Sequence, residues 1–489
     1  MSRINTNVPS LIAQHNLQRS QNDLNVSLQR LSTGLAINRG ADDPAGLIIS
    51  ERLRAEVKSI EQAIDNAERA SNVIATGEAA LQEVNALLLS MKQLIIESAN
   101  TGALSKEERD ANQLQIDSAI ESINRIANTT SFAGLKLLNG SLDYDLTGVS
   151  AANIADVKIF NANFGTRSSI PVSVEVLNSA ERAGLILSAG AIDFTGVADT
   201  QITIEGTKGV QTFQITSAMT MSGLAVAIAA LSDATGVSAT LYNPANALSG
   251  IQLISTEYGS DAFISVLGGF DPSVGFDFGD VGGGAGTSTY TDTGEDVLAI
   301  VNGMLALGDG LKTSVRSASL NLEMTLTEAF ATATGGTPET FTIAGGGALY
   351  QVGPSVNSQQ QVSIGIQSVS PSLLGNNTLG YLATLMTGGA NALNTGNFTQ
   401  AGLVLDESID QITTLRGRLG AFERNTLDTS VRSQQIALEN LTASESQLRD
   451  TDFAAETSRL TRAQILTSAG TSTLALANSS AQQVLALLQ

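Results

Sequence analysis

The sequence predicts a multidomain protein, with a long α-helical coiled-coil core formed by both termini and β-rich α+β domains between them. Three observations lead there. Apolar residues recur at steps of three and four across residues 1–140 and 403–489. Between those stretches, short apolar runs alternate with Gly, Asp and Asn turns. Charge is also divided: residues 141–400 hold 6 basic and 21 acidic side chains, whereas the two ends together hold 20 and 26. Near-balanced charge suits close helix packing and concentrated negative charge suits a solvated surface, so composition alone suggests an inside and an outside.

The first helix is expected from about Pro9 to Leu35, with Leu17, Leu24, Leu28, Leu31 and Leu35 on one stripe. Gly34, Gly40, Asp42 and Asp43 break it, and Asp43-Pro44 supplies an N-cap followed by proline at the first helical position. That cap and turn account for the paired carboxylates without invoking catalysis. The second helix, about Ala45 to Ala99, carries Leu53, Val57, Ile60, Ile64, Ala67 and Ile74, then Leu81, Leu88, Met91 and Ile95. So long a heptad-like run is a coiled-coil signature. Ser105 and Glu108 form a capping box before a third helix bearing Ile116, Ile120, Ile123 and Ala127, and a short extended piece lies between Gly134 and Gly140.

The other end mirrors this layout. Leu405, Ile409, Ile412, Leu415, Leu419 and Phe422 begin a stripe, which continues after a stutter near Thr426 through Leu427, Val431, Leu438, Leu441 and Leu448. A break at "RDTDFAAE" precedes a final helix with Leu474, Ala477, Ala481, Val484 and Leu488 on one face and no charge from Ala463 to Gln489. Terminal helices with matching layouts are expected to pair antiparallel. An uncharged amphipathic end is otherwise hard to explain, because chain ends fray unless something ties them down.

In the middle, "VSVEVL", "TQITIEG", "VQTFQITS", "SGIQLIS", "FISVLGG", "ETFTIAGG" and "QQQVSIGIQSV" read as strands. A helix is expected around Ser222–Leu231 and a second helical stretch around Asp296–Phe330. Gly282–Gly286 reads as a flexible linker that divides the middle into two modules. The expected domains are therefore 1–44 (terminal helix), 45–140 (coiled-coil core), 141–282 and 283–402 (two β-rich modules), 403–450 (returning core helix) and 451–489 (terminal helix).

Several function classes are excluded. With no cysteine and only His15, the chain lacks disulfides, thiol nucleophiles and most metal and triad templates. A net charge of -21 argues against nucleic acid and anionic membranes as partners. No cleavable signal and no apolar run long enough to span a membrane are evident, so export is expected to use a route without a cleaved signal. "GDGLKTS" at 308–314 lacks the glycine spacing of a phosphate loop and is expected to be helix surface. Asp271, Asp277 and Asp280 lack calcium-loop spacing and read as a solvated acidic turn. His15 is expected at a surface or interface. No nucleophile–base–orienter set can be assembled, so neither an enzyme nor a cofactor is expected.

The segments "INTNVPSLIAQHNLQRSQNDLNVSLQRLSTGLAINRGADDPAGLIISERL", "GLKLLNG", "IDQITTLRGRLGAFERN" and "DTDFAAETSRLTRAQILTSAGTSTLALAN" together resemble bacterial flagellin, in order and at the correct chain ends. "GVQTFQITSAMTMSGLAVAIAALSDATGVSATL" and "GIQLISTEYGSDAFISV" resemble a repeat of the variable region of flagellins and hook proteins, and 343–375 is similar to a segment of longer flagellins. The resemblance implies a structural subunit of the flagellar filament, self-assembling into a helical homopolymer through its terminal helices, exported unfolded and located outside the cell. It also implies an export chaperone on the C-terminal helix, and contacts with filament cap and hook-filament junction proteins. The metallopeptidase insert of some flagellins is excluded by the single histidine. One departure is functional: Ser90 stands where flagellins sensed by Toll-like receptors carry an arginine, and Gln115 where a glutamate is common, so weak receptor contact is expected. The other readings are a hook-associated junction protein and a secreted adhesin on a coiled-coil stalk. The glycine-broken "STGLAINRGADDPAGL" and "TRAQILTSAGTS" favour the filament subunit, and a stalk has no use for sticky, uncharged ends.

Overall fold

The structure, a computed structural model, describes residues 7–165, 167–187, 200–216, 219–243, 250–268, 278–279, 288–317 and 319–486. Its helices are α1 (Val8–Thr33), α2 (Pro44–Ala99), α3 (Lys106–Thr129), α4 (Met221–Ala229), α5 (Ser232–Thr235), α6 (Glu328–Ala331), α7 (Phe398–Phe422), α8 (Asp428–Arg449) and α9 (Phe453–Ala486). The chain divides into two compact units, one of residues 1–71, 351–356 and 422–489, the other of 72–350 and 357–421.

In the first unit, the expected helices are present and their ends follow from the sequence. α1 stops at Gly34, whose φ of 72° lets its N–H reach back to the Arg30 carbonyl at 2.8 Å. Asp42 then accepts from the Asn38 and Arg39 amides at 3.0 and 2.8 Å, and these backbone bonds hold its carboxyl below the ordinary value. Asp43 caps α2 by accepting from the Gly46 amide at 2.9 Å. The stutter expected near Thr426 is a π turn, Glu423–Leu427, between α7 and α8. One wider turn absorbs the mismatch in the apolar repeat without ending the helix. Gln434 of α8 donates to the Val352 carbonyl, tying residues 351–356 to that helix.

The second unit has a helical part and a β part. The Ser105 capping box is formed on α3, with the Glu108 amide donating to Ser105 Oγ at 3.2 Å and the Ser105 amide to Glu108 Oε2 at 2.8 Å. Leu81, Val84, Leu88 and Met91 of α2, Ile116 and Ile123 of α3, and Val404 and Leu405 of α7 have no exposed surface. Lys92 pairs with Asp406 at the surface, and inside the interface Asn112 donates to Ser98 at 3.2 Å, so polar contacts link the helices as well. The uncharged stretch before α7 folds against α3: Gln113 donates to the Leu385 carbonyl at 2.9 Å and accepts from the Leu393 amide at 2.7 Å.

The β part contains two cores, and they are nested. An antiparallel eight-stranded sheet runs in the order 144–147, 339–346, 170–178, 298–301, 304–309, 312–316, 320–326, 154–162. Val172, Val174, Val301, Leu322, Phe341 and Ile343 fill its core. Between its strands 170–178 and 298–301 the chain leaves to build a second core around Ile202, Ile204, Leu224, Ile228, Leu253, Ile264 and Val266. That core joins two four-stranded antiparallel sheets and α4, which forms close to the expected Ser222–Leu231. The tandem division at 282/283 is therefore corrected: residues 144–180 and 297–343 share one core and 183–290 form an insertion in it. Gly282–Gly286 and Asp271, Asp277 and Asp280 lie outside the described residues.

The helix expected over Asp296–Phe330 is also corrected. This stretch is a meander of four strands, and among its described residues only those of Glu328–Ala331 are helical. Leu320, Leu322, Met324 and Leu326 are buried with period two, the strand pattern. Asn302 and Gly303, at φ 51° and 80°, form the positive-φ pair that a two-residue hairpin requires. "GDGLKTS" is likewise a strand end, a turn at Gly310 (φ 60°) and a strand.

At the neck of the insertion the incoming and outgoing strands meet. The Glu181 and Glu295 backbones exchange hydrogen bonds of 2.9 and 3.0 Å. Asp296 accepts from the Ser260 amide (2.9 Å), the Ser260 hydroxyl (2.6 Å) and the Gly310 amide (2.8 Å). Burial raises its pKa, but these three donors outweigh burial and leave it lowered. Tyr258 donates to Glu328 at 2.6 Å, with the Arg182 guanidinium 4.3 Å above its ring.

Candidate assembly surface

Within the first unit α1 and α9 run antiparallel. At one end Asn7 Nδ2 donates to the Ala477 carbonyl at 3.0 Å and Ser10 Oγ to Asn478 Oδ1 at 2.8 Å. At the other, the two helix breaks are joined: the Ala36 amide donates to the Arg449 carbonyl at 2.7 Å and the Thr451 amide to the Gly34 carbonyl at 2.9 Å. Between them Gly470 allows close approach, since a Cβ there would lie 3.2 Å from Leu17 Cδ1. Glu456, only 3% exposed, sits 3.8 Å from Arg30 and 3.2 Å from Arg459. Arg449 pairs with Glu51 of α2 at 2.7 Å. The antiparallel pairing expected from the mirrored sequence is thus present, made by hydrogen bonds and ion pairs at its ends and apolar contact along its length.

Most of the striped residues named from the sequence face inward within this chain. Val57, Ile60 and Ile64 are buried; Leu17, Leu24, Leu31, Leu35, Leu53, Leu438, Leu441, Leu474 and Ala477 are half-buried; Leu28 and Leu448 are exposed. Ala481 and Val484 fall on the last turns of α9 and Leu488 beyond it, and their side chains lie outside the described residues. Besides Leu28 and Leu448, the apolar surface left open is made mostly of residues off those stripes: Leu11 and Ile12 on α1, Ile48 and Ile49 on α2, Ile436 on α8, and Phe453, Ile465, Leu466 and Leu476 on α9. Leu476 is 70% exposed, so the final helix is apolar on more than the one face read from its spacing. The missed signal was adjacency. Leu11-Ile12, Ile48-Ile49 and Ile465-Leu466 are neighbours in sequence, and successive helical residues point some 100° apart, so one of each pair cannot join the stripe.

His15 is exposed on α1, and Ser90 and Gln115 are exposed on α2 and α3. Among the described residues no group of three or more His, Asp or Glu is placed to hold a metal ion, and no helix is long and apolar enough to cross a membrane. A cleft in the second unit, lined by Asp143, Asp156, Lys158, Ser368 and Gln411, contains neither histidine nor cysteine. Burial raises the Asp143 carboxyl there.

Paired terminal helices that leave apolar side chains open, with no metal-binding cluster among the described residues, are the features of a structural protein. Residues 4–143 match the model of the bacterial flagellin N-terminal helical region, and 403–488 that of the C-terminal helical region. The chain is 29% identical over 514 residues to a flagellin of Salmonella typhimurium and 30% identical over 540 residues to the B-type flagellin of Pseudomonas aeruginosa, with 99% of each partner covered in both cases. A flagellar hook associated protein-3 from Legionella pneumophila aligns over 81% of this chain and 98% of its own, at 11% identity and a TM-score of 0.30. The chain belongs to the bacterial flagellin family and is a structural subunit of the flagellar filament.

Proposed function

We propose that subunits join through the open apolar face of the terminal helices, while the striped residues hold each subunit's own helices together. The observation that carries this is the set of bare Leu, Ile and Phe side chains on α1 and α9, with Ile12 56%, Ile465 63% and Leu476 70% exposed. Burying one such side chain stabilises by about 1.5–3 kcal/mol before ordering costs. Repetition in a head-to-tail, non-closing array gives a fibre rather than a closed oligomer. A chain truncated after Arg462, compared with the full-length protein by seeded sedimentation and negative-stain microscopy, tests it. Full-length fibres with a monomeric truncation support the reading, and fibres from both overturn it.

The partners follow the same chemistry. Before export, the uncharged C-terminal helix needs a chaperone to cover it, and at the filament's two ends the open helical face meets cap and junction proteins. Export without a cleaved signal belongs to this reading. Ser90 and Gln115 lack the charges that would anchor an innate immune receptor, so weak Toll-like receptor activation is expected. A Ser90→Arg monomer should stimulate reporter cells more strongly than the parent; an equal response from both would remove the argument.

A further inference from the structure

Between α1 and α9, near the two helix breaks, lies a groove of about 390 Å³. Val26, Ser27 and Arg30 of α1 and Glu456, Ala463 and Leu466 of α9 line it. Val26 and Leu466 are exposed, whereas Ser27, Glu456 and Ala463 are buried. The ion pair in this groove is incomplete. Glu456 Oε2 lies 3.8 Å from Arg30 and accepts from Arg459 at 3.2 Å. Its Oε1 is buried with no hydrogen-bond partner among the described residues, and so is Arg30 Nε. Buried polar atoms in folded proteins are almost always satisfied, so both call for a partner. One chemistry answers the two together, a group that donates to Glu456 Oε1 and accepts from Arg30 Nε. A carboxylate only accepts and is repelled by Glu456, and an ammonium only donates and is repelled by the arginines. A hydroxyl or a carboxamide does both.

The opposite end of the same helix pair carries that chemistry. Around the tip where Asn7 and Ser10 bond to Ala477 and Asn478, residues 4–18 and 463–489 contain no Asp, Glu, Lys or Arg. Beyond Asn478 the sequence reads "SSAQQVLALLQ", hydroxyls and amides set among apolar residues that suit Val26 and Leu466. Other open apolar residues of the first unit stand beside charges: Ile49 near Glu51 and Arg52, Ile436 between Arg432 and Glu439, Phe453 next to Asp452. We propose that the groove of one helix pair receives the uncharged tip of the pair in a second copy, where a hydroxyl or amide of residues 480–483 completes the Arg30–Glu456 pair. The inference rests on the assembly through terminal helices proposed above and names the segment that docks. Groove and tip are different surfaces of one pair, so every copy offers both and the contact repeats without closing. Apolar contact alone would let the tip slide along the groove; the single donor–acceptor requirement fixes where it stops, as one polar residue fixes register in a coiled coil.

The sequence has no cysteine, so Asp23→Cys on the same groove can carry a benzophenone maleimide as the single label. The labelled chain is copolymerised with an excess of isotopically heavy full-length chain, pelleted, irradiated and mapped by mass spectrometry. The expected product joins the label to residues 472–489 of a heavy copy and is absent from monomer at the same concentration. Adding Glu456→Leu to the labelled chain should lower the yield per incorporated label at least fivefold. Glu456→Gln, which keeps an acceptor in place, should lower it less than twofold. Pelleted filaments with only intrachain product, with crosslinks elsewhere in the heavy copy, or with equal yields from the parent and Glu456→Leu chains overturn the proposal and leave assembly through the helices standing. If the heavy chain alone does not pellet, the assembly reading falls and takes this contact with it.

Discussion

At the scale of single residues, the β part is held by close backbone approaches and a few carboxylate clips. A Cβ on Gly308 would lie 2.0 Å from the Val297 carbonyl oxygen, which belongs to backbone and cannot swing aside. Gly308→Ala should therefore cost about 1–3 kcal/mol, read as a lower urea midpoint. Asp296 gives a pH-dependent case. Its folded pKa is lowered, so its contribution is present above the ordinary value of 3.8 and fades as pH falls through the folded value. Asp296→Asn should lower the thermal midpoint at neutral pH, and the gap to the parent chain should narrow in acid below pH 3.8. A gap that stays constant across that range would show that charge plays no part.

At the scale of elements, the π turn at Glu423–Leu427 makes a prediction that ordinary helix does not. A π turn holds one residue more than the α ladder needs, so deleting Thr426 should leave Leu415 and Leu419 in phase with Leu438 and Leu441. Deleting Arg432 from regular helix should rotate everything downstream by about 100°. Urea unfolding should show little change for the first variant and a loss above ~2 kcal/mol for the second, the cost of removing several apolar side chains from their neighbours. The helices were legible because period, caps and breaks agree at each end: Ser105 with Glu108, Asp43 before Pro44, Gly34 after Thr33. The stretch 296–330 was misread because short apolar runs fit both periods. The Asn302-Gly303 turn is the sequence feature that favours strands there, because a two-residue hairpin needs that positive-φ pair. The nested cores were not legible, since no local pattern records that Val301 returns to the sheet that Val176 left. The stripes named as packing residues were visible because they are periodic. The open face was less so, because many of its residues, Ile12, Ile465 and Leu476 among them, stand off those stripes.

At the scale of the whole molecule, charge opposes assembly and apolar area favours it. With a net charge of -21, approaching subunits repel over a distance of about 10 Å at 0.1 M salt. Seeded elongation should accelerate as salt rises from about 20 to 150 mM, when the screening length shortens. Slower elongation would mean that ion pairs between subunits, rather than apolar contacts, dominate the encounter.

The neck at Glu181 and Glu295 has a consequence for what this chain can carry. Because its incoming and outgoing backbones are already hydrogen-bonded to each other, the inserted core behaves as cargo in a socket. Any folded passenger whose own ends lie side by side meets the geometric demand of that socket. What such a passenger must replace is the inserted core's own grip on the socket, the hydrogen bonds from Ser260 to Asp296 and from Tyr258 to Glu328.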